Sequence, residues 1–218
     1  MKIFDCFMFY DEELLLDIRL NILDKYVDFF VIVESEHFHN GKKRQLKFDI
    51  NKFKKFESKI IYIVHKDEPV GITKLNNHDD EGTKSYKLIL NAHLRENDQR
   101  NYISKGLTKA DDNDLILISD VDEIPNLHSI NLSKINNQIV IFEQIIFYYK
   151  FNRYLPNFNW HGTKACKKRN LLSPQWLRNI KNKKFSFWRL DTYFSKNKYI
   201  NKIFFQNGGW HFSNIKNA

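Results

Sequence analysis

The apolar run Leu115-Ile116-Leu117-Ile118-Ser119 leads straight into Asp120-Val121-Asp122-Glu123 and is closed off by Ile124-Pro125. A run so short and unbroken reads as a strand buried on both faces, the kind found in sheets that helices cover on either side. It ends in three acids within four positions. Where the backbone leaves the pleat, Asp120 and Asp122 can turn toward the same side and share one divalent cation, and an oxygen-rich site of this kind suits Mg²⁺ or Mn²⁺. Buried acids without such a cation are costly.

The rest of the first half agrees with that constraint. Residues 3–9 are apolar and aromatic and read as a first strand. Asp11 suits a helix N-cap, with Glu12 and Glu13 in the favourable first turn. Leu15, Ile18 and Ile22 follow at helical spacing, and residues 28–34 read as a second buried strand. Strand, helix, strand over this span is a βαβ unit, which implies a parallel pair with a right-handed crossover. Residues 35–47 are polar, carry Gly41 with Lys42, Lys43 and Arg44, and read as a long loop. Residues 59–65 read as a third strand and residues 66–82 as irregular. A longer helix is expected over 85–105, with Tyr86, Ile89, Leu90 and Leu94 toward the core. This alternation argues for a layered α/β domain. Beyond Pro125 the character changes. Residues 138–151 form a β-type run rich in aromatics, followed by Trp160, Trp176, Trp188 and Trp210 between basic and Asn-rich stretches. The boundary near residue 126 is a shift in composition and not a linker, so residues 1–218 are read as one domain.

Composition narrows the partners. The formal charge of +9 favours an anionic one: nucleic acid, a membrane surface or a nucleotide-linked substrate. Cys6 and Cys166 lie far apart and form neither a disulfide framework nor a zinc spacing, which suits a reducing compartment. Asp5 comes too early for a signal peptide, and no apolar run approaches the roughly 20 residues that span a bilayer. A cytoplasmic protein, at most peripheral at a membrane, is expected.

In open α/β sheets, ligands bind at the carboxyl ends of the strands. The loop after Glu34 and the acids after Ser119 both belong to that edge. One supplies cations and a glycine, the other a metal site, and a nucleotide diphosphate fits between them with the cation as bridge. There is no Gly-rich phosphate loop, no Walker sequence, no HExxH and no nucleophile elbow. An aspartyl-phosphate phosphatase would carry its Asp-x-Asp on the first strand. The large class that remains is the nucleotide-sugar glycosyltransferases.

The segments Asp5-Cys6-Phe7-Met8-Phe9-Tyr10-Asp11-Glu12-Glu13-Leu14 through Asp17-Ile18-Arg19-Leu20, and Val27-Asp28-Phe29-Phe30-Val31-Ile32-Val33-Glu34-Ser35 with Phe38 and Gly41-Lys42, resemble glycosyltransferase family 17. So do Gln99-Arg100-Asn101, the acids from Ser119 to Pro125, and Gly208-Gly209-Trp210-His211-Phe212-Ser213. The resemblance spans nearly the whole chain in order. It implies a GT-A type fold: a Rossmann-like, mostly parallel central sheet flanked by helices. Residues 1–125 would then be the nucleotide-sugar-binding half and residues 126–218 the acceptor-side half. It also implies a UDP-sugar donor (UDP-GlcNAc in the characterised animal members), Mn²⁺ or Mg²⁺, a glycan acceptor and inversion at the anomeric carbon, as in a β-1,4-N-acetylglucosaminyltransferase. Members of the family usually continue well past the Trp-His-Phe-Ser segment, so a truncated, inactive relative that keeps donor binding is a further expectation to weigh.

With the resemblance in place, Asp120, Asp122 and His211 are the expected metal ligands, the last reaching in from a turn that Gly208 and Gly209 permit. Glu123 is either a supporting acid or a helix cap. Glu34 either contacts uridine or ribose, or pairs with Lys42 or Lys43. Phe38, Gly41 and Lys42 belong to the same donor loop. Arg100 either reaches the diphosphate, orients Asp120, or makes only an i, i+4 pair with Glu96. Arg178 fits the family pattern and is expected at phosphate, and Trp210 is expected to pack on the donor. Inverting transfer needs a carboxylate base; the candidates are Asp191, Glu143 and Glu123, with Asp191 favoured. The basic second half, including Lys164, Lys181 and Lys184, either draws in an anionic acceptor or lipid surface, or is solvated. The rival reading is a non-catalytic nucleic-acid-binding module, supported by the high charge and many aromatics. Against it, the clustered acids repel phosphate unless a metal intervenes, so no nucleic acid is expected. The oligomeric state is not legible.

Overall fold

The computed structural model describes residues 1–128, 130, 135–186, 188, 191–195, 197–198 and 201–215. Among the described residues, nine strands form one mixed sheet. β1 (Ile3–Phe9), β2 (Phe29–Ser35), β3 (Ile60–His65) and β4 (Leu115–Asp120) lie in the order β3-β2-β1-β4, all parallel. Beyond β4 the sheet turns mixed. β7 (Tyr154–Lys167) runs antiparallel to β4 and to β6 (Ile139–Tyr148), and β6 pairs in parallel with β8 (Lys202–Phe205) and β9 (Gly209–Ser213). The short β5 (Glu123–Pro125) pairs antiparallel with β9 at the far end of the path.

That last pairing bends the sheet. β4 ends at Asp120 and β5 begins at Glu123, so three Cα steps, about 11 Å, join them. Four strand spacings separate β4 from β5 along the path, about 19 Å if the sheet were flat. The sheet therefore curls back on itself, and the link that closes the curl is Val121-Asp122.

Side-chain parity sorts the first four strands into two cores. Phe7, Phe9, Phe30, Ile32, Leu115 and Leu117 pack on one face with Leu15, Leu16, Leu20 and Leu23 of helix α1 (Glu13–Leu23). Phe4, Cys6, Val31, Val33, Ile116 and Ile118 pack on the other with Ile103, Leu107, Leu177 and Ile180. Burying each leucine of α1 contributes about 1.5–3 kcal/mol. The strands read from sequence are present, though the run read over 138–151 ends three residues earlier, at Tyr148.

Two helix readings need correction. Asp11 does not cap α1: the N-cap is Glu12, whose carboxylate folds back to accept from the N–H groups of Tyr10 and Asp11, both at 3.1 Å. The second helix, α2, spans Glu81–Asn101, capped by Asp80, and a 3₁₀ turn continues to Leu107. Its apolar stripe does not face the core. Tyr86 is 67% exposed and Ile89 59%, Leu90 is exposed too, and the buried residues are Asn91, Gln99 and Arg100. The helix packs by polar groups because its last turns border a cavity. A 3₁₀ helix over Ile50–Lys59 buries Phe53 and Phe56, spaced three residues apart, in a segment to which the sequence reading assigned no element.

Candidate functional site

The acidic turn is held from beneath by an arginine. Asp5 on β1 and Ser119 on β4 have the parity of the α1 face, and so meet Arg19 of α1. Arg19 and Asp5 are fully buried and joined by two bonds, Nε to Oδ2 at 2.7 Å and Nη2 to Oδ1 at 2.6 Å. Nη2 also donates to Ser119 Oγ, and Nη1 donates to the carbonyls of Asp120 (3.0 Å), Val121 (3.3 Å) and Glu123 (2.9 Å). With its carbonyls drawn inward, the turn presents its carboxylates elsewhere. Sequence reasoning quoted Arg19 within the family pattern but gave it no role. The available signal was a lone arginine inside the Leu16, Leu20, Leu23 stripe, matched by a lone aspartate inside an apolar strand.

Asp120 has the opposite parity and points to the α2 side. Its Oδ1 accepts from Arg100 Nη2 (3.1 Å) and its Oδ2 from Arg178 Nη2 (2.8 Å). Arg178 is delivered by helix α3 (Pro174–Asn179), which Ser173 caps through its bond from Trp176 N–H, with Pro at the first position. The same guanidinium grips Glu123 through Nη1 to Oε2 (2.6 Å) and donates to Gly162 O. Glu123 also accepts from Trp160 Nε1 (2.7 Å) and from Asp120 N–H (3.0 Å), and it is 1% exposed. Desolvation works against the charge on Asp120, but Arg178 and Arg100 outweigh it and hold the carboxyl below its ordinary range. Gly162 makes room for this packing: a Cβ there would lie 2.6 Å from Glu123 Cδ and 2.3 Å from Gln144 Oε1.

Asp122, beyond the turn, faces β9 instead. Its Oδ2 lies 3.3 Å from His211 Nε2, and its carbonyl accepts from Phe212 N–H. The imidazole stacks on Trp160 with ring centres 4.7 Å apart. Partial burial disfavours its charge, but the hydrogen bond it donates to the Asp122 carboxylate more than offsets this and raises its pKa. Neighbouring ligands of an octahedral cation with bonds of about 2.1 Å sit about 3 Å apart, and the Asp122–His211 pair meets that spacing. His211 Nδ1 is buried without a partner. Asp120 does not join this pair, because both of its oxygens are engaged by guanidinium groups. Among the described residues, no group of three or more His, Cys, Asp or Glu side chains is placed to hold a metal ion. Asp122 and His211 are thus two donors at ligand spacing, and Asp120 is not a third: strand parity sends one acid to the arginines, the turn sends the other to β9.

A cavity of about 660 Å³ opens beside these groups, walled by Tyr10, Phe38, Arg100, Asp120 and Asp122 among others. Glu12 and Glu96 line it as well. Desolvation, opposed by the backbone N–H groups it accepts from, raises the Glu12 pKa. Arg100 fulfils two of its expected roles at once, since Nη2 also donates to Glu96 Oε1 at 2.8 Å.

Other expected site residues stand apart. Glu34 is fully buried and paired neither with Lys42 nor with Lys43. Arg44 bridges it at 2.9 Å, and the N–H groups of Lys47 and Phe48 and the Tyr62 hydroxyl donate to it. It anchors the loop, and no surface of it is left for uridine or ribose. Lys42 is exposed, and Gly41 has φ of +85° against the Arg95 guanidinium, so neither lines the cavity. Trp210 packs against the core of the α1 face, and the indole at the acids is Trp160. Glu123 caps no helix; it lies in β5. Glu143 on β6 sits 3.6 Å from His161 Nε2. Asp191 opens the short helix α4 (Asp191–Phe194), exposed and 2.6 Å from Lys198 Nζ. None of these three candidate bases lines the cavity.

The arrangement places guanidinium charge, an aspartate–histidine pair and a cavity along the carboxyl end of a parallel sheet, which suits a substrate with a charged leaving group. A comparison with curated proteins returned no match. The family model of glycosyltransferase family 17 matches residues 1–215, essentially the whole chain, and the chain belongs to that family.

Proposed function

We propose that this glycosyltransferase moves a sugar, N-acetylglucosamine, from UDP to a glycan hydroxyl with inversion, on a GT-A type scaffold and with Mn²⁺ or Mg²⁺. The observation that carries the reading is the cavity at the carboxyl ends of β1 and β4, with Asp120, Asp122 and Arg100 on one wall. Ligands of open α/β sheets bind at that edge, and the parallel run β3-β2-β1-β4 supports the GT-A assignment.

Asp122 and His211 would hold the cation. When bound, it supplies Lewis-acid stabilisation of the departing diphosphate. Asp120 holds Arg100 at the cavity wall with Arg178 behind it, and their charge favours the pyrophosphate as negative charge builds on it. Glu123 and Trp160 fix Arg178 and the His211 ring. A binding site this organised positions donor and acceptor and keeps out water, which would otherwise hydrolyse the donor. Glu123 is fully committed to Arg178, Trp160 and the Asp120 N–H, so the base is drawn from Asp191 and Glu143.

Thermal shift with UDP, with and without Mn²⁺, tests the donor reading. Stabilisation by UDP should depend on Mn²⁺ and reach about 2.7 kcal/mol at a hundredfold excess over Kd. Absence of any Mn²⁺-assisted UDP binding would overturn it. Sugar transfer from UDP-GlcNAc to an acceptor panel then tests the base: Asp191→Asn should abolish transfer and leave UDP binding intact, and unchanged turnover moves the role to Glu143.

A further inference from the structure

The β6–β7 hairpin carries a surface that the site chemistry does not use. The first six residues of β7 are exposed one after another. Successive side chains of a strand point to opposite faces, so both faces are free there and the hairpin stands out from the protein. Its cover is not that of an ordinary solvated strand. Tyr149, Phe151, Tyr154, Leu155 and Phe158 are all exposed, Tyr154 by 61%. Lys150 and Arg153 sit in the turn, and no acid occurs anywhere from Gln144 to Leu190. The tip is also braced. Tyr148 N–H donates to Arg153 O at 2.9 Å, Phe151 packs edge-on against Phe212 at 5.2 Å, and Tyr154 leans on Phe147 at 6.3 Å.

We propose that this tip docks the protein on an anionic lipid bilayer, with the rings and Leu155 in the headgroup region and Lys150 and Arg153 on lipid phosphates. Aromatic side chains favour the membrane interface because one end is apolar and the other wet, and cations beside them gain from an anionic leaflet. Charge complementarity selects this occupant. A second copy of the chain would set Lys150 and Arg153 against their own images. A single-stranded nucleic acid needs a groove whose cations track its backbone, and a protruding tip with two cations and a leucine is not one. Among the described residues no helix is long and apolar enough to cross a membrane, so the contact is a surface one. From Gly162, whose carbonyl holds Arg178, back to Phe158 is about 13 Å of strand, a reach that suits an acceptor glycan carried on a lipid. The docking itself is independent of the donor.

Vesicle sedimentation of the whole protein tests this. Vesicles of phosphatidylcholine alone are compared with equimolar phosphatidylcholine and phosphatidylglycerol. Binding should be confined to the anionic vesicles and fall with salt. Lys150→Gln and Arg153→Gln should each weaken it about fivefold with thermal melts unchanged, and the double variant Phe151→Ser with Leu155→Ser by about tenfold or more. Leu155→Cys, labelled with a polarity-sensitive dye while Cys6 and Cys166 stay buried, should blue-shift on anionic vesicles. The proposal is overturned by absence of binding, by binding that the tip variants leave unchanged, by an unshifted dye, or by tip-dependent dimerisation or oligonucleotide binding in place of lipid binding.

Discussion

Two arginine–carboxylate clusters sit on opposite faces of the same strand end, and they are built for different purposes. Beneath β4, Arg19 and Asp5 are both sealed, and every other guanidinium donor goes to Ser119 or to the carbonyls of the acidic turn. Above it, Asp120 joins Arg100 and Arg178 at a cavity wall, and the carboxylate stays 37% exposed. One residue of strand separates Ser119 from Asp120, and pleat parity alone decides which cluster each joins. The sealed pair shapes the turn; the open one leaves charge where a ligand can reach it. Burial costs a charge solvent that it must recover from partners, so the sealed cluster should govern folding and the open one activity.

The sharpest way to break that division is Arg19→Met. It strands Asp5 in an apolar core and frees three carbonyls, a loss of about 3–5 kcal/mol. That is a fall in melting temperature of about 10 °C for a chain of this size. Adding Asp5→Leu should recover much of the stability by removing the orphaned charge, yet leave transfer weak because the turn is no longer held. Recovery of full transfer in the double variant would show that Arg19 does not shape the turn.

On the open face the effects should reverse. Asp120→Asn keeps the shape of the side chain but releases its hold on two guanidinium groups. Transfer should fall about a hundredfold or more, while the free energy of denaturant unfolding changes by less than about 1 kcal/mol. A large stability loss with intact turnover would merge the two clusters into one structural device. Between these extremes stands Gly162→Ala. Its methyl group would press on Glu123 and Gln144, costing about 1–3 kcal/mol and tilting Arg178, so stability and transfer should both decline.

The difference between the clusters also explains what could be read in advance. β1, β2 and β4 were legible because each is a compact apolar run, and parity along them follows from the pleat. The acids were legible as a site because three charges at the end of such a run need a reason. Which acid meets which partner was not. Arg178, Trp160 and His211 arrive from α3, β7 and β9, and only the curl of the sheet brings them to the Val121-Asp122 link. Glu34 misled for a related reason. At the end of a strand a carboxylate looks available, but its four donors come from a loop, a tyrosine and an arginine whose placement the local sequence does not encode. In α2 the misread stripe has a plain cause: Tyr86, Ile89 and Leu90 are spaced helically, yet the helix packs through Gln99 and Arg100, where burial is bought with hydrogen bonds and not with apolar area.

The smallest effect tests how the open cluster is held from behind. Lys164 lies opposite Ile118 in the β4–β7 register, and its Nζ donates at 2.6 Å to the carbonyls of Arg178 and Ile180. It thereby closes the end of α3 and fixes the backbone of Arg178. Burial, with the nearby Arg178 charge, lowers its pKa from 10.5 to about 7. The sign follows from proton counting. Between about 7 and 10.5 the unfolded chain holds the proton more tightly than the folded one, so stability rises with pH over that window. It rises by up to about 1.4 kcal/mol per unit, and the penalty for the buried charge is complete below it. Denaturant unfolding of the protein and of Lys164→Met at pH 7.5 and 9.5 isolates this group from the other titrations. The parent should gain on the variant as pH rises. A constant gap would mean that the two carbonyls keep the ammonium charged, making Lys164 a third buried cation of the open face, paired with helix carbonyls where Arg178 is paired with acids.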